Sequence, residues 1–486
     1  MNLTKLKNYN TRDTISAIAT FPSKSALGVI KISGKSAINI ISKIFLPAKK
    51  KDIKKAKTYT MHYGWIVERN QKPEYRNQNG KIVDEVLVSI MRGPHSYTCE
   101  DVVEISSHGG MTSLNKILEI ILKNNSRQAL PGEFTYRAFL GGRLDLLQAQ
   151  SVLNIVDAKS EDALGVAVSQ LKGGASLEIN GIKEAIKELF VLTESLINFP
   201  EEGIDIDTSG IKQKLKTIRI KIQDILESNR DAKILKDGLR CVICGKTNAG
   251  KSTLFNCLLR EERVIVSAVA GTTRDVIEET INVRGVPLRI YDTAGILEPR
   301  DLIEKKAIEK SSLILEEADL VILVLDGSKA LSKDDVFLIN RLKKYLNSAK
   351  KSSGDNGKDV VIVINKSDLK QKIGLTAIKD IKCCKVNLSA RTGQGIRNLE
   401  EAIFKTAYKN GTRRKDLIFL NTYQNEALKK AFNSIIEAES FLNSGRQIDS
   451  VNFSLKESLE AIGRLTGEVL CEELLESIFS QFCIGK

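Results

Sequence analysis

The chain has 486 residues, 42% of them hydrophobic, which suits about three domains with real cores and excludes a disordered chain. Lys and Arg outnumber Asp and Glu by 74 to 60, a formal net charge of +14. That charge favours an acidic partner such as RNA, although a Lys-, Ile- and Asn-rich coding bias gives the same balance.

The opening residues Met1 to Asn8 lack the apolar core of a signal peptide. No run of about 18 apolar residues suggests a membrane span. The eight cysteines have no regular spacing. A cytoplasmic protein with reduced thiols and no membrane contact is therefore expected. Aromatic residues make up 5% of the chain, too few to favour stacking of single-stranded RNA, so RNA would dock by phosphate contacts.

Residues 1–141 read as an α+β domain. Residues 26–32 and 83–90 alternate as strands, and 113–123 follow helical spacing. Residues 142–236 are helical, with Ile182, Ile186, Leu189, Phe190, Thr193 and Ile197 recurring on one face. Residues 237–410 change rhythm. Apolar strands at 241–244, 288–291, 320–325 and 360–364 alternate with amphipathic helices, as in a doubly wound α/β sheet. Residues 350–358 read as a polar surface loop within it. Residues 411–486 are helical again, carrying Leu428, Phe432, Ile435, Ala438 and Leu442. The fold class expected is thus multidomain α+β and α/β, with a discontinuous helical domain interrupted by an inserted Ras-like domain.

Gly245-x4-Gly250-Lys251-Ser252 follows a strand and opens a helix, the context of a phosphate-binding loop. Glycines let backbone amides turn toward phosphates. Lys251 is expected to reach the β- and γ-phosphates, and the Ser252 hydroxyl to ligate Mg²⁺. Asn248, Ala249, Gly250 and Thr253 complete the loop.

Asp292-Thr293-Ala294-Gly295 ends a strand. Asp292 can hold Mg²⁺ through water, and the Gly295 amide can sense the γ-phosphate. Thr273, in Gly271-Thr272-Thr273, is expected to complete the Mg²⁺ shell. Asn365-Lys366-x-Asp368 follows another strand, and the Asp368 carboxylate can accept from guanine N1–H and the 2-amino group, a pair adenine does not offer. Ser389-Ala390 resembles the last guanine loop. Such matches, in order and on the right elements, predict a GTPase.

Ras-like enzymes orient the attacking water with a Gln after Asp-x-x-Gly. Ile296 stands there, so another group must do so, with Glu298, Asp301 and Glu304 as candidates. Arg274 is the nearest candidate for an arginine finger, and a structural role is the commoner one. Cys241-x-x-Cys244 has the spacing of a metal or redox motif, but its apolar setting favours a core strand.

The chain resembles the MnmE (TrmE) family of tRNA modification GTPases almost end to end. The resemblance is carried by Asp13-Thr14-Ile15, by residues 28–34, by Ser96-Tyr97-Thr98-Cys99-Glu100-Asp101-Val102-Val103-Glu104-Ile105 and by His108-Gly109-Gly110. It continues in Pro131-Gly132-Glu133-Phe134-Thr135, Arg137-Ala138-Phe139-Leu140 and the terminal Cys483-Ile484-Gly485-Lys486.

The resemblance implies an N-terminal folate-binding and dimer-forming domain and a K⁺-dependent GTPase activated by dimerisation of its inserted domain. It implies K⁺ contacts at Asn248, Ser267, Val269 and Thr272, in a loop that also holds Ala268, Ala270 and Gly271 against the nucleotide. Among the carboxylates it selects Glu304 as the group that orients water, making Glu304, Lys251 and Asn248 the catalytic set. A fixed cation at the phosphates can do an arginine finger's work.

The resemblance further implies modification of C5 of the wobble uridine of certain tRNAs, giving a carboxymethylaminomethyl or aminomethyl group. The one-carbon unit would come from a 5,10-methylene- or 5-formyl-tetrahydrofolate, the amino part from glycine or ammonia. The partner would be MnmG, which uses FAD and NADH, in a heterotetramer-type complex.

Folate contacts map to Lys31, Glu104, Arg143 and Lys486. Lys31 stands where Arg is usual and Arg143 where Lys is usual, which keeps charge but exchanges fork for point-charge geometry. Cys99 stands where Gly is usual, and Thr247 where Pro is usual. Cys483, beside Lys486, is a candidate nucleophile, and closure of the folate pocket is the alternative role of that tail. A ribosome-associated switch GTPase is the competing function. A KH-like or second GTPase domain would favour it, and the sequence contains neither. A folate-dependent transferase with a degenerate GTPase domain is opposed by the complete phosphate and guanine motifs.

Overall fold

The computed structural model describes residues 12–49, 52–69, 80–198, 208–261, 278–291, 318–352, 359–374, 376–379, 381, 383–408, 417–444, 448–468, 475 and 478–486. The chain forms two compact units. One comprises Met1–Val156, Val168–Asp224 and Leu420–Lys486, the other Asp157–Ala167 and Ile225–Phe419.

The first unit holds a seven-stranded sheet. Its strands are β1 (Ile15–Ile18), β2 (Ser25–Ser33), β3 (Phe45–Pro47), β4 (Thr60–Glu68), β5 (Lys81–Met91), β6 (Val102–Gly109) and β7 (Arg127–Gln128), in the order β3-β4-β5-β6-β2-β1-β7. Strand alternation divides its faces. Ile30, Ile32, Val88, Ile90, Val103 and Ile105 are buried in one core with residues of the helices Ala37–Ile44 and Met111–Lys123. Gly28 has no Cβ because one there would overlap the Leu114 side chain. The other face carries Lys31 and Glu104, which are register partners, and the exposed Met61, Tyr63 and Leu87.

The periodic helices form as expected. Ile182, Ile186, Leu189 and Thr193 are buried on Gly174–Asn198, and Leu428, Ile435, Ala438 and Leu442 on Thr422–Asn443. Burying each such Leu or Ile is worth about 1.5–3 kcal/mol. Thr422–Asn443 starts with a capping box, in which Asn421 and Gln424 satisfy each other's amides. The Thr193 hydroxyl donates to Asn452 on Ile448–Thr466 across the helix packing.

The tail of the chain folds onto the sheet domain. Phe479 and Phe482 pack with Tyr136 and Leu146. Gly485 has φ +97 and lies so close to Ala19 that a Cβ would be 2.8 Å from its Cα. Glycine alone fits there.

The second unit is a doubly wound sheet in the order β13-β12-β11-β8-β10-β9. The strands are β8 (Leu239–Cys244), β9 (Glu278–Val283), β10 (Val286–Tyr291), β11 (Leu320–Asp326), β12 (Asp359–Asn365) and β13 (Cys384–Asn387). All pair in parallel except β9 with β10. Val321, Leu323, Leu325, Ile362 and Ile364 are buried, as an α/β sheet covered on both faces requires. Cys241 and Cys244 are both buried on β8, and burial pushes both thiols up. Three positions apart on a strand, they face opposite sides of the sheet, so this spacing is core rather than chelate. The helix Lys333–Ser352 takes in the first three residues of the expected 350–358 loop. The rest of that loop lies outside the described residues.

Candidate functional site

In the second unit, chain order places β8 at the switch point, with β10 on one side and β11 on the other. Ligands of such sheets bind beyond the carboxyl ends of strands at this point. The loop after β8 uses three residues of positive φ, Gly245 (152°), Asn248 (61°) and Gly250 (99°), to turn into the helix Lys251–Glu261. A Cβ at Gly245 would strike the Val324 carbonyl, and one at Gly250 the Asn365 amide.

Lys251 Nζ donates to the main-chain oxygens of Gly245 (2.8 Å) and Lys246 (3.1 Å). The ammonium is thus poised over its own loop, where phosphate oxygens can replace those acceptors. Ser252 and Thr253 are exposed in the first turn of that helix, which contains no acidic residue, so nothing there opposes an anion.

Asn365 ties the loop after β8 to the loop after β13. Its Nδ2 donates to the Ala249 carbonyl (2.8 Å), and its Oδ1 accepts from the Ala390 amide (3.0 Å). The side chain is 2% exposed, so neither bond competes with water. Lys366, at φ 63°, pairs with Asp326 at 2.6 Å. Burial would raise the Asp326 carboxyl, but the bonds from Lys366 and Ser328 outweigh it and hold it below the usual range.

A hydrogen bond from Ser389 likewise holds the exposed Asp368 carboxyl low, leaving an ionised acceptor on the surface. The structure therefore gathers Asn248, Ala249, Gly250, Lys251, Asn365, Lys366, Asp368, Ser389 and Ala390 at one end of the sheet. Asp326 is a residue the sequence reading missed. Its position at the carboxyl end of a parallel strand is the signal that could have found it. Ser267, Ala268, Val269, Ala270, Gly271, Thr272, Thr273, Asp292, Thr293, Ala294, Gly295 and Glu304 lie outside the described residues, as do Arg274, Ile296, Glu298 and Asp301.

A second cluster lies on the open face of the first unit's sheet. Lys31 Nζ is 3.6 Å from Glu104. Lys31 Nζ lies 5.8 Å, and the Arg143 guanidinium 4.8 Å, from the centroid of the Tyr97 ring. The Tyr97 hydroxyl bonds Thr135 at 2.9 Å, and its ring packs on Ile15, Ala17, Ala129 and Phe134. Burial raises the phenol, though Thr135 and Arg143 counter it. The Phe134 amide donates to the main-chain oxygen of Lys486, which brings the tail to the same corner. Cys483 is exposed, and its carbonyl accepts from the Lys486 amide. Two cations at one aromatic ring, with a carboxylate beside one of them, suit a flat heteroaromatic ligand that bears amide and carboxyl groups, as a folate does.

The motif residues Asp13, Glu100, Glu133 and Arg137 do something else. Arg137, 3% exposed, pairs with Glu133 (3.0 Å), Asp13 (3.0 Å) and Glu100 (3.1 Å). Arg127 joins Asp13 and Glu133. This network fixes the helix Glu133–Leu140 and hence Thr135 and Phe134, the supports of Tyr97.

Two family models match the chain. One, the MnmE helical domain, covers residues 146–483, and the other, the GTP-binding protein TrmE N-terminus, covers residues 14–143. A tRNA modification GTPase MnmE of Thermoanaerobacter pseudethanolicus is 41% identical, with 98% of this chain and 99% of that protein covered. The chain belongs to the MnmE family of tRNA modification GTPases.

An MnmE of Clostridioides difficile is 39% identical, with 98% and 99% covered. The chain is also similar to the solved G domain of the T. maritima FeoB iron transporter, at 27% identity and a TM-score of 0.26, over 35% of this chain and 98% of that one. Among the described residues, no helix is long and apolar enough to cross a membrane, and no group of three His, Cys, Asp or Glu could hold a metal ion. A nucleotide's Mg²⁺ needs few protein ligands, so the exposed Ser252 hydroxyl beside the phosphate loop fits it.

Proposed function

We propose that this chain is a K⁺-dependent GTP hydrolase that works with the FAD-dependent MnmG to modify C5 of the wobble uridine of certain tRNAs in the cytoplasm. The observation that carries this reading is the presence, on one chain, of a phosphate loop tied by Asn365 to the Ser389–Ala390 loop that bonds Asp368, and of Lys31, paired with Glu104, and Arg143 at one aromatic ring. The reading takes residues 1–141 as the folate domain, 142–236 and 411–486 as the helical domain, and 237–410 as the GTPase domain.

Lys251 would leave its loop carbonyls for the phosphates, and Asp368 would accept from the guanine edge. Ser252 and Thr273 would hold Mg²⁺. Asn248, Ser267, Val269 and Thr272 would hold K⁺. Together these cations neutralise charge on the phosphates. Glu304 would orient the water. Glu104 would accept from the pterin's amino and N–H groups, and Lys31 and Arg143 would address its oxygens, with Lys486 closing the site. The bound 5,10-methylene or 5-formyl folate supplies a one-carbon unit.

The open sheet face supports a homodimer. Met61 is 63% exposed, Tyr63 47% and Leu87 39%, an apolar patch in the row of strands that also presents Lys31 and Glu104.

GTP turnover in K⁺ against Na⁺ tests the cation assignment. Turnover is expected to be at least about tenfold faster in K⁺. Equal rates would remove Asn248 as a cation ligand.

A further inference from the structure

Two cationic side chains from separate parts of the chain reach the Tyr97 ring. Lys31 comes from β2, and Arg143 from the turn after the helix Glu133–Leu140. Both charged groups sit within the roughly 6 Å over which a ring quadrupole attracts a cation. The ring itself is anchored at its hydroxyl by Thr135 and packs against the cluster of Ile15, Ala17, Ala129 and Phe134. Arg143 is exposed and follows Gly141 and Gly142, in a turn whose amides bond back to Arg137, Ala138 and Phe139, so its backbone is set while its long side chain is left to be placed. Lys31 is a long, flexible side chain whose pairing with Glu104 is a loose 3.6 Å.

We propose that Tyr97 is the positioning residue of the folate site, its ring holding the Lys31 and Arg143 heads over one spot before the ligand arrives. This rests on the folate reading above. Two like charges held on one ring repel each other, so the arrangement is relieved by a ligand that brings carbonyl or carboxylate oxygens to both. Rotamer entropy of two long side chains is given up in advance, on a rigid support, rather than at binding. Such a role depends on the electron density of the ring face and not on the hydroxyl. A purely structural Tyr97 depends on shape and on the Thr135 bond.

Ring electronics and ring shape can be separated. Tyr97→Phe and a series of mono-, di- and trifluorinated phenylalanines at position 97 keep the ring's size while stripping its negative face. The measurement is 5-formyltetrahydrofolate affinity of the full chain by calorimetry, with thermal unfolding alongside. The Phe variant is expected to bind within about twofold of wild type, and affinity to fall stepwise with fluorine to about tenfold weaker, at unchanged unfolding temperature. Affinity that stays flat across the series while the wild type binds overturns the role of Tyr97 and leaves the folate site standing. Absence of binding by the wild type overturns the folate reading and this proposal together.

Discussion

Glu304→Ala is expected to bind GTP as the wild type does and to hydrolyse it about 10²-fold more slowly, the range for a positioned acid–base group. The reasoning starts at Ile296, which follows Asp-x-x-Gly and has no group to bond water. A carboxylate downstream must take that task on the proposed mechanism, and Glu304 is the one the family resemblance selects. Phosphate and guanine contacts come from other residues, Lys251 and Asp368 among them, so affinity should not move. Single-turnover hydrolysis beside nucleotide titration separates the two quantities. Turnover retained in Glu304→Ala would pass the role to Asp301 or Glu298.

Arg137→Leu is expected to cost the first unit about 3–5 kcal/mol, because it takes the buried guanidinium from Glu133, which keeps only Arg127, and from the part-exposed Asp13 and Glu100. Glu133 is 0% exposed, and Asp13 and Glu100 also bond this guanidinium. Arg137→Lys keeps the charge but not the fork that serves three carboxylates, and should recover only part of the loss.

The network also has a pH signature. Burial alone would raise Asp13, but the bonds and charges of Arg127 and Arg137 outweigh it and hold the carboxyl low. A carboxyl depressed by folding stabilises above its unfolded value of about 4 and loses that contribution as pH falls through its folded value. The wild type should therefore lose stability below about pH 4 more steeply than Arg137→Leu. Urea unfolding followed by circular dichroism reads both effects. A loss near 1 kcal/mol would mean the network is not the keystone of this corner.

Contiguous chemistry was legible in the sequence. A phosphate loop needs its glycines and Lys251 in one short stretch after a strand, and guanine recognition needs Asn365, Lys366 and Asp368 together. The strands read at 241–244 and 320–325 are apolar runs and declare themselves. β13, four residues with only Val386 buried, does not, and neither does the β9–β10 hairpin, whose Arg284-Gly285 turn has positive φ at both residues without an Asn or Asp to mark it.

Relations between distant segments were the least legible. Asp13, Glu100, Glu133 and Arg137 could be quoted as motif residues, yet their union as an ion network is a tertiary fact. The exchanged Lys31 and Arg143 looked like two separate departures, but both address one Tyr97 ring, so the cluster keeps one ammonium and one guanidinium. Tyr97 carries no local signal for that role.

The most direct test is nucleoside analysis of tRNA from cells lacking this protein, complemented with the wild-type chain or with Lys251→Ala. The account predicts that C5-modified wobble uridines disappear on deletion, return with the wild type, and stay absent with Lys251→Ala. Unchanged wobble nucleosides in the deletion strain would contradict it.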